Sequence, residues 1–301
     1  MAAAVVLLPM MLVQQSFAWG MDGHMIVNRL AASALPSDVP KFLRKSAAIR
    51  AIEYYGPEPD RWRTPAEPEL NAVQAAEHFI DFEYADYAGP LPRRRYDFLR
   101  ALTAAQPAHP EVQLTPEKIG LQPWQTTEVY ERLQSAMRDY RGLLSAKKDT
   151  KASEAEIIFL AGWLGHYVAD GSMPLHTSIK YNGWVGPNPN GYTTEHHIHA
   201  LFESDFVHAN VKAADVAPLI TAKPVVLGDV FSDYMAYLRH SNTQVEKTYQ
   251  LEKAGAFAGP GTPEGKAFVD QQLAAGATEL RDMIYTAWIK SGDPVPPYHG
   301  N

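Results

Sequence analysis

Apolar residues recur at helical spacing through most of the chain, and no zone reads as strand-rich. Residues 19–35 turn from glycine-rich to helical, with Ile26, Val27, Leu30, Ala31 and Leu35 on one face. Pro36 and Pro40 break that run, and a second helix is expected from Pro40–Lys41 to about Tyr55, with Phe42, Leu43, Ala47, Ile49 and Ile52 inward. A loop rich in proline and charge, GPEPDRWRTPAEPE, carries Asp60. Thr64–Pro65, an N-cap followed by proline at N1, or else Glu69, opens the next helix. That helix carries Ala72, Ala75, Ala76 and Phe79 and includes His78. Residues 83–123 keep no sustained period and read as a long excursion with room for a small hairpin. Its Arg93–Arg95 run is either a phosphate-attracting patch or a solvated turn.

A long helix is expected from Pro123–Trp124 to about Ser145, with the stripe Val129, Leu133, Met137, Tyr140 and Leu144. Ser153 with Glu156 resembles a capping box opening a helix over 154–170. A loop of Gly, Asn, Pro and Tyr covers 180–192, and Thr193 or Thr194 then caps a helix containing His196, His197, His199 and Glu203. Two further helices are expected at 226–251 and 264–289. The expectation is an all-α fold: one catalytic domain over 19–301, with a helical core over 19–290 and a tail over 291–301.

Residues 1–18, MAAAVVLLPMMLVQQSFA, have the apolar core and the small-x-small ending of a secretory signal peptide, with cleavage expected between Ala18 and Trp19. The basic segment usual before such a core is absent, and the apolar run is too short for a stable membrane anchor. The expected location is secreted or periplasmic. The whole chain of 301 residues is 46% hydrophobic and 20% charged, enough for a sizeable core. Its net charge of -7 argues against a basic surface that coats nucleic acid. With no cysteine, a metal site must use His, Asp, Glu and backbone groups, which suits zinc or manganese, and eleven histidines are available.

The most informative stretch is 157–176, IIFLAGWLGHYVADGSMPLH. His166 and Asp170, four apart, share one face of an apolar helix. Buried there, both need a partner, and a divalent cation is one. Gly171 and Pro174 end the helix and bring His176 within reach. His199 and Glu203 form a second i,i+4 pair. Taken singly, each has an ordinary explanation: a hydrogen-bonded core histidine for His24 or His78, a surface ion pair for His199 and Glu203. The ordered set, Trp19, His24, Asp60, His78, His166, Asp170, His176, His199 and Glu203, is harder to explain that way.

That set is similar to a known pattern. WGMDGH from Trp19 to His24, PDRWR around Asp60, HFID from His78 to Asp81, HYVADGSMPLH from His166 to His176 and HALFE from His199 to Glu203 stand in family order. The chain resembles the superfamily of single-strand-specific zinc nucleases and zinc-dependent phospholipases C, and the motifs span most of the mature chain. The resemblance implies three zinc ions in a cleft of a helical fold. One would take Asp60, His78, His166 and a bridging Asp170. Its neighbour would take Asp170, His24 and the terminal amine and carbonyl of Trp19. The third would take His176, His199 and Glu203. It also implies phosphodiester hydrolysis through a zinc-bridging hydroxide, oriented or deprotonated by Asp60, with the third zinc on the leaving oxygen. Arg63 stands where relatives carry a basic residue for the phosphate, or it is an ordinary solvent-facing arginine.

The short spacing from Trp19 to His24 matches the nuclease branch, and Phe79 and Asp81 stand where nuclease relatives stack and hydrogen-bond a base. The Gly-Gly-Asn element of nuclease relatives is missing after His176, and Glu203 resembles the phospholipase branch. Tyr181, Trp184 and Tyr192 could meet bases or a lipid interface. The expected substrate is single-stranded DNA, RNA or a 3'-nucleotide. Phospholipid is the alternative substrate, a metal-binding helical protein without turnover is a second alternative, and no stable protein partner is expected.

Overall fold

The fold is built outward from one buried helix. In the computed structural model, residues 19–295 and 297 are described; the expected signal peptide and the end of the expected tail lie outside them. The elements that position the site are α1 (Gly20–Ser33), α2 (Ser46–Tyr55), α3 (Glu58–Arg61), α4 (Pro68–Ala75), α5 (Arg95–Ala105), α6 (Gln122–Ser145), α7 (Lys151–Ser172), α8 (Val230–Asn242), α9 (Val245–Lys253) and α10 (Pro263–Lys290). The described residues contain no strand, in keeping with the all-α expectation. None of their helices is long and apolar enough to cross a membrane.

Helix α7 is nearly all apolar from Ile157 onward, and α1, α2, α6 and α10 pack around it. Its glycines set how closely they approach. A Cβ at Gly162 would stand 2.4 Å from Cβ of Tyr55, and one at Gly165 only 2.0 Å from Oδ1 of Asn28. Asn28, fully buried on α1, donates from Nδ2 to the carbonyls of Ile52 on α2 and Gly162 on α7, each at 2.9 Å. One amide thus ties together the three helices whose ends reach the histidine cluster. The apolar side chains around them, from Trp19 to Ala287, form one continuous core.

Several expectations need correction. The second helix begins as a 3-10 turn, Lys41–Arg44, and α2 buries Ala48, leaving Ala47 exposed. Asp60 lies on a single helical turn, α3, and not in open loop. Helix α4 ends before His78, and its Ala72 and Ala75 are exposed while Gln74 is buried. The chain leaves the helix there because backbone pairing with a distant segment takes over. Leu121 N–H donates to Ala76 O (2.6 Å), Asp81 N–H to Ile119 O (2.7 Å) and Ile80 N–H to His176 O (2.9 Å).

The excursion over 83–123 contains α5 in place of a hairpin; with only Phe98 and Leu102 buried, its apolar stripe is too thin to mark a period. Of the Arg93–Arg95 run, Arg93 and Arg95 are engaged by acidic side chains. Arg93 is paired with Asp229 (2.6 Å), and Arg95 bonds Glu128 (2.9 Å) and Glu77 (3.3 Å). Leu144, expected in the α6 stripe, is exposed. Helix α7 starts earlier than expected, at Lys151, after Thr150, whose hydroxyl bonds Glu154 (2.8 Å), and Ser153 is interior. The expected 226–251 helix is two, broken at Thr243–Gln244. Thr193 and Thr194 cap no helix: His196 and His197 precede a short turn, Ile198–Ala200, that continues as a π-helical turn over Leu201–Asp205.

The close approach at Gly165 is testable. Gly165→Ala is expected to destabilise the protein by about 1–3 kcal/mol, the usual range for overpacking, read as a lowered thermal midpoint. An unchanged midpoint would show that α1 and α7 are not locked at this point.

Candidate metal centre

Each side chain of the cluster is delivered by a different turn of the fold. His24 comes from α1, Asp60 from α3, and His166 and Asp170 from α7. His78 follows α4, and His176 sits in the 3-10 turn Pro174–Thr177 after Met173 closes α7. His199 and Glu203 lie on the short helical and π-helical turns after 197. Every one of these side chains is buried. They fall into three groups that could each hold a metal ion: His24, Asp60 and His166; His78, His166 and Asp170; and His176, His199 and Glu203.

Asp170 stands at the centre. Its Oδ2 faces His78 Nδ1 (3.2 Å) and His166 Nε2 (3.3 Å), while Oδ1 faces His24 Nε2 (3.5 Å) and His176 Nδ1 (3.6 Å). Asp60 lies across from it, 3.7 Å from His24 and 3.8 Å from His78. Farther along, His199 Nε2 is 2.9 Å and His176 Nε2 3.6 Å from Glu203 Oε2. Two histidines are oriented from behind. His166 Nδ1 contacts Gly56 O (2.9 Å) and His199 Nδ1 contacts Tyr181 O (3.2 Å). As donors to those carbonyls, both rings present the bare Nε2 to the cluster, the arrangement of a metal ligand.

Electrostatics give the same answer. Burial pushes the Asp170 carboxyl well above the usual carboxylate range, and the charges of Asp60 and Glu203 add to it. Burial also raises Asp60, against the pull of Arg63. His78 and His166 are held well below the usual imidazole range, first by burial and then by neighbouring positive groups. Glu203 differs: burial pushes it up, but His199 and His176 outweigh that and hold it low. Neither oxygen of Asp60 or Asp170 receives a hydrogen bond, and Glu203 Oε1 has no partner either. Buried carboxylate oxygens without donors are costly, and a divalent cation would satisfy them. The donor set fits zinc: imidazole and carboxylate, no thiolate.

Trp19, fully buried, starts α1 in a left-handed conformation with φ 43°. Its backbone N lies 3.1 Å from Glu203 Oε2, its carbonyl accepts from Gly23 N–H, and its indole donates to Ala169 O (2.7 Å). The residue is thus seated between α1, α7 and the turn carrying Glu203.

Beside the cluster opens a cavity of about 290 Å³. It is lined by His78, His176 and His199 of the cluster together with Arg63, Phe79, Asp81 and Tyr181. Asp81 is buried, and its carboxyl is pushed up to about 7 by that burial, with Glu83 adding and Lys118 opposing. A sequence model of the S1/P1 nuclease family matches residues 19–288. The chain belongs to the S1/P1 nuclease family. It is a hydrolase acting on phosphodiester bonds. No curated protein matches the chain at a significant level.

Two residues of this nuclease cavity escaped sequence reasoning, Glu117 and Lys118. They lie in the excursion without period, and long-range backbone bonds such as that from Asp81 N–H to Ile119 O bring them to the site. No local signal marks that bond.

The raised carboxyls set a pH dependence. In the metal-free fold Asp60 and Asp170 keep protons at a pH where free carboxylates, with a pKa of about 4, have lost them. A metal must expel those protons, so metal affinity rises with pH above about 4. The gain in thermal midpoint on adding zinc is expected to grow from about pH 5 to pH 7.5, with proton release in calorimetry. A pH-independent gain would contradict the burial argument.

Proposed function

We propose that the chain is a secreted, trinuclear zinc phosphodiesterase that cleaves single-stranded nucleic acid. The observation that carries this reading is Asp170, whose two oxygens face two different sets of histidines beside a cavity lined by Phe79 and Arg63. Asp60, His78, His166 and Asp170 would hold one ion. Asp170, His24 and the backbone groups of Trp19 would hold a second, the amine being free once the chain starts at Trp19. His176, His199 and Glu203 would hold the third. Bound zinc supplies a lowered pKa for water and charge stabilisation on phosphate oxygens.

The protein's own groups do the rest. Asp60 accepts the proton of the attacking water. Arg63, on the cavity wall next to His78, neutralises a non-bridging phosphate oxygen of the scissile diester. Phe79 offers a ring face for a base, a contact that tolerates any sequence and needs an unpaired strand. Asp81 hydrogen-bonds the edge of that base. A net charge of -7 is compatible with this reading because the ions, and not a lysine-rich surface, meet the phosphates. The apolar segment at 2–13 and its small-x-small ending support export.

Purified protein starting at Trp19, loaded with zinc, is assayed on single-stranded DNA, RNA, a 3'-nucleotide and phosphatidylcholine. Cleavage of the nucleic acids is expected; cleavage of the lipid alone would replace this reading with a phospholipase C. Asp170→Ala is expected to lose bound zinc and to lower kcat by at least about 100-fold, in line with the loss of metal activation. Retained activity would refute the bridging role.

A further inference from the structure

Resting on the nuclease reading, we infer that Lys118 and Asp81 together form a base-reading pair that selects guanine over adenine. The two residues come from segments far apart in sequence that are laced together. Asp81 N–H donates to the carbonyl of Ile119, the neighbour of Lys118, at 2.7 Å. Gln122 N–H donates to Phe79 O at 3.2 Å. Gly120 lets these strands of chain meet: its φ is +89°, and a Cβ there would stand 2.0 Å from Phe79 O. These bonds fix the backbone positions of Asp81 and Lys118, and both side chains line the same cavity as Phe79, the Lys118 ammonium lying 5.9 Å from the Tyr84 ring.

The chemistry of that pair discriminates. In its ionised form Asp81 is an acceptor with two oxygens, and a lysine is a donor only. Guanine presents two adjacent donors, N1–H and the N2 amino group, beside the O6 acceptor, which matches a carboxylate followed by an ammonium. Adenine reverses both positions. Its N1 acceptor would face the carboxylate and its N6 amino group would face the ammonium. A site built to hydrogen-bond one pattern rejects the other strongly, because its own polar groups are left unpaired. Arg63 and Glu117 also line the cavity, and Glu83 lies near Asp81 but is engaged by Ser178 (2.5 Å) and by the backbone N–H of Ile179 (3.2 Å).

The test compares kcat/KM for the dinucleoside monophosphates GpG and ApA, and separately measures binding of guanosine and adenosine by calorimetry. A ratio favouring GpG of at least about fivefold is expected, the low end for one good base-edge contact. Lys118→Met should bring the ratio near one, Lys118→Arg should preserve it, and Asp81→Asn, which adds a donor, should move it toward adenine. Equal rates in the unaltered protein would overturn the inference. So would a Lys118→Met variant that loses GpG and ApA activity equally, since that is the behaviour of a phosphate contact. If neither dinucleotide is cleaved, the nuclease reading fails, and the guanosine and adenosine titrations still decide the pair on their own.

Discussion

Two carboxylates, Asp60 and Asp170, are buried where α1, α3 and α7 converge, and none of their four oxygens receives a hydrogen bond. A buried, unpaired carboxylate costs several kcal/mol. Side by side, two of them either keep protons, as burial favours in the metal-free fold, or need a counter-charge. His78 and His166, at 3.2 to 3.8 Å, supply lone pairs but, held neutral by burial, no charge. The rest of the structure follows from meeting this constraint. The glycines of α7 let α1 and α2 come close enough for His24 and Gly56 to reach His166. Asn28 fixes that spacing. The turn at Met173 brings His176 back onto the far side of Asp170.

Part of this was legible from the sequence, and the reason is periodicity. His166 with Asp170, and His199 with Glu203, are pairs one helical turn apart, and an i,i+4 spacing survives small errors in helix boundaries. The long helices α6, α7 and α10 carry stripes wide enough to read. What failed was decided by contacts between distant segments. His78 was expected inside a helix, but pairing between 76–81 and 119–122 pulls it out of one. The Arg93–Arg95 run left a phosphate patch and a solvated turn both open, because the partners of Arg93 and Arg95, namely Asp229, Glu128 and Glu77, are remote in sequence. Lys118 was invisible for the same reason. The π-helical turn at 201–205 carries no signature of its own, yet it helps to aim Glu203 at both His199 and the backbone of Trp19.

A second network supports the site from outside. Tyr167, next to His166 on α7, bonds Gln74 (3.0 Å), and Gln74 bonds Glu77 (2.8 Å), which Arg95 also holds. Glu77 precedes His78, so this chain of bonds anchors the segment that delivers His78 and Phe79. The same segment forms one wall of the cavity. The stretch 76–81 therefore serves both the candidate metal centre, through His78, and the cavity, through Phe79 and Asp81.

In the proposed centre Asp170 would bridge two ions while His176, His199 and Glu203 would hold a third. Anomalous diffraction at the zinc edge, on crystals of the protein starting at Trp19, tests it most directly. Three peaks are predicted, two of them flanking Asp170 with one oxygen toward each, and one among His176, His199 and Glu203. A single peak near Asp170, or none, would contradict the account.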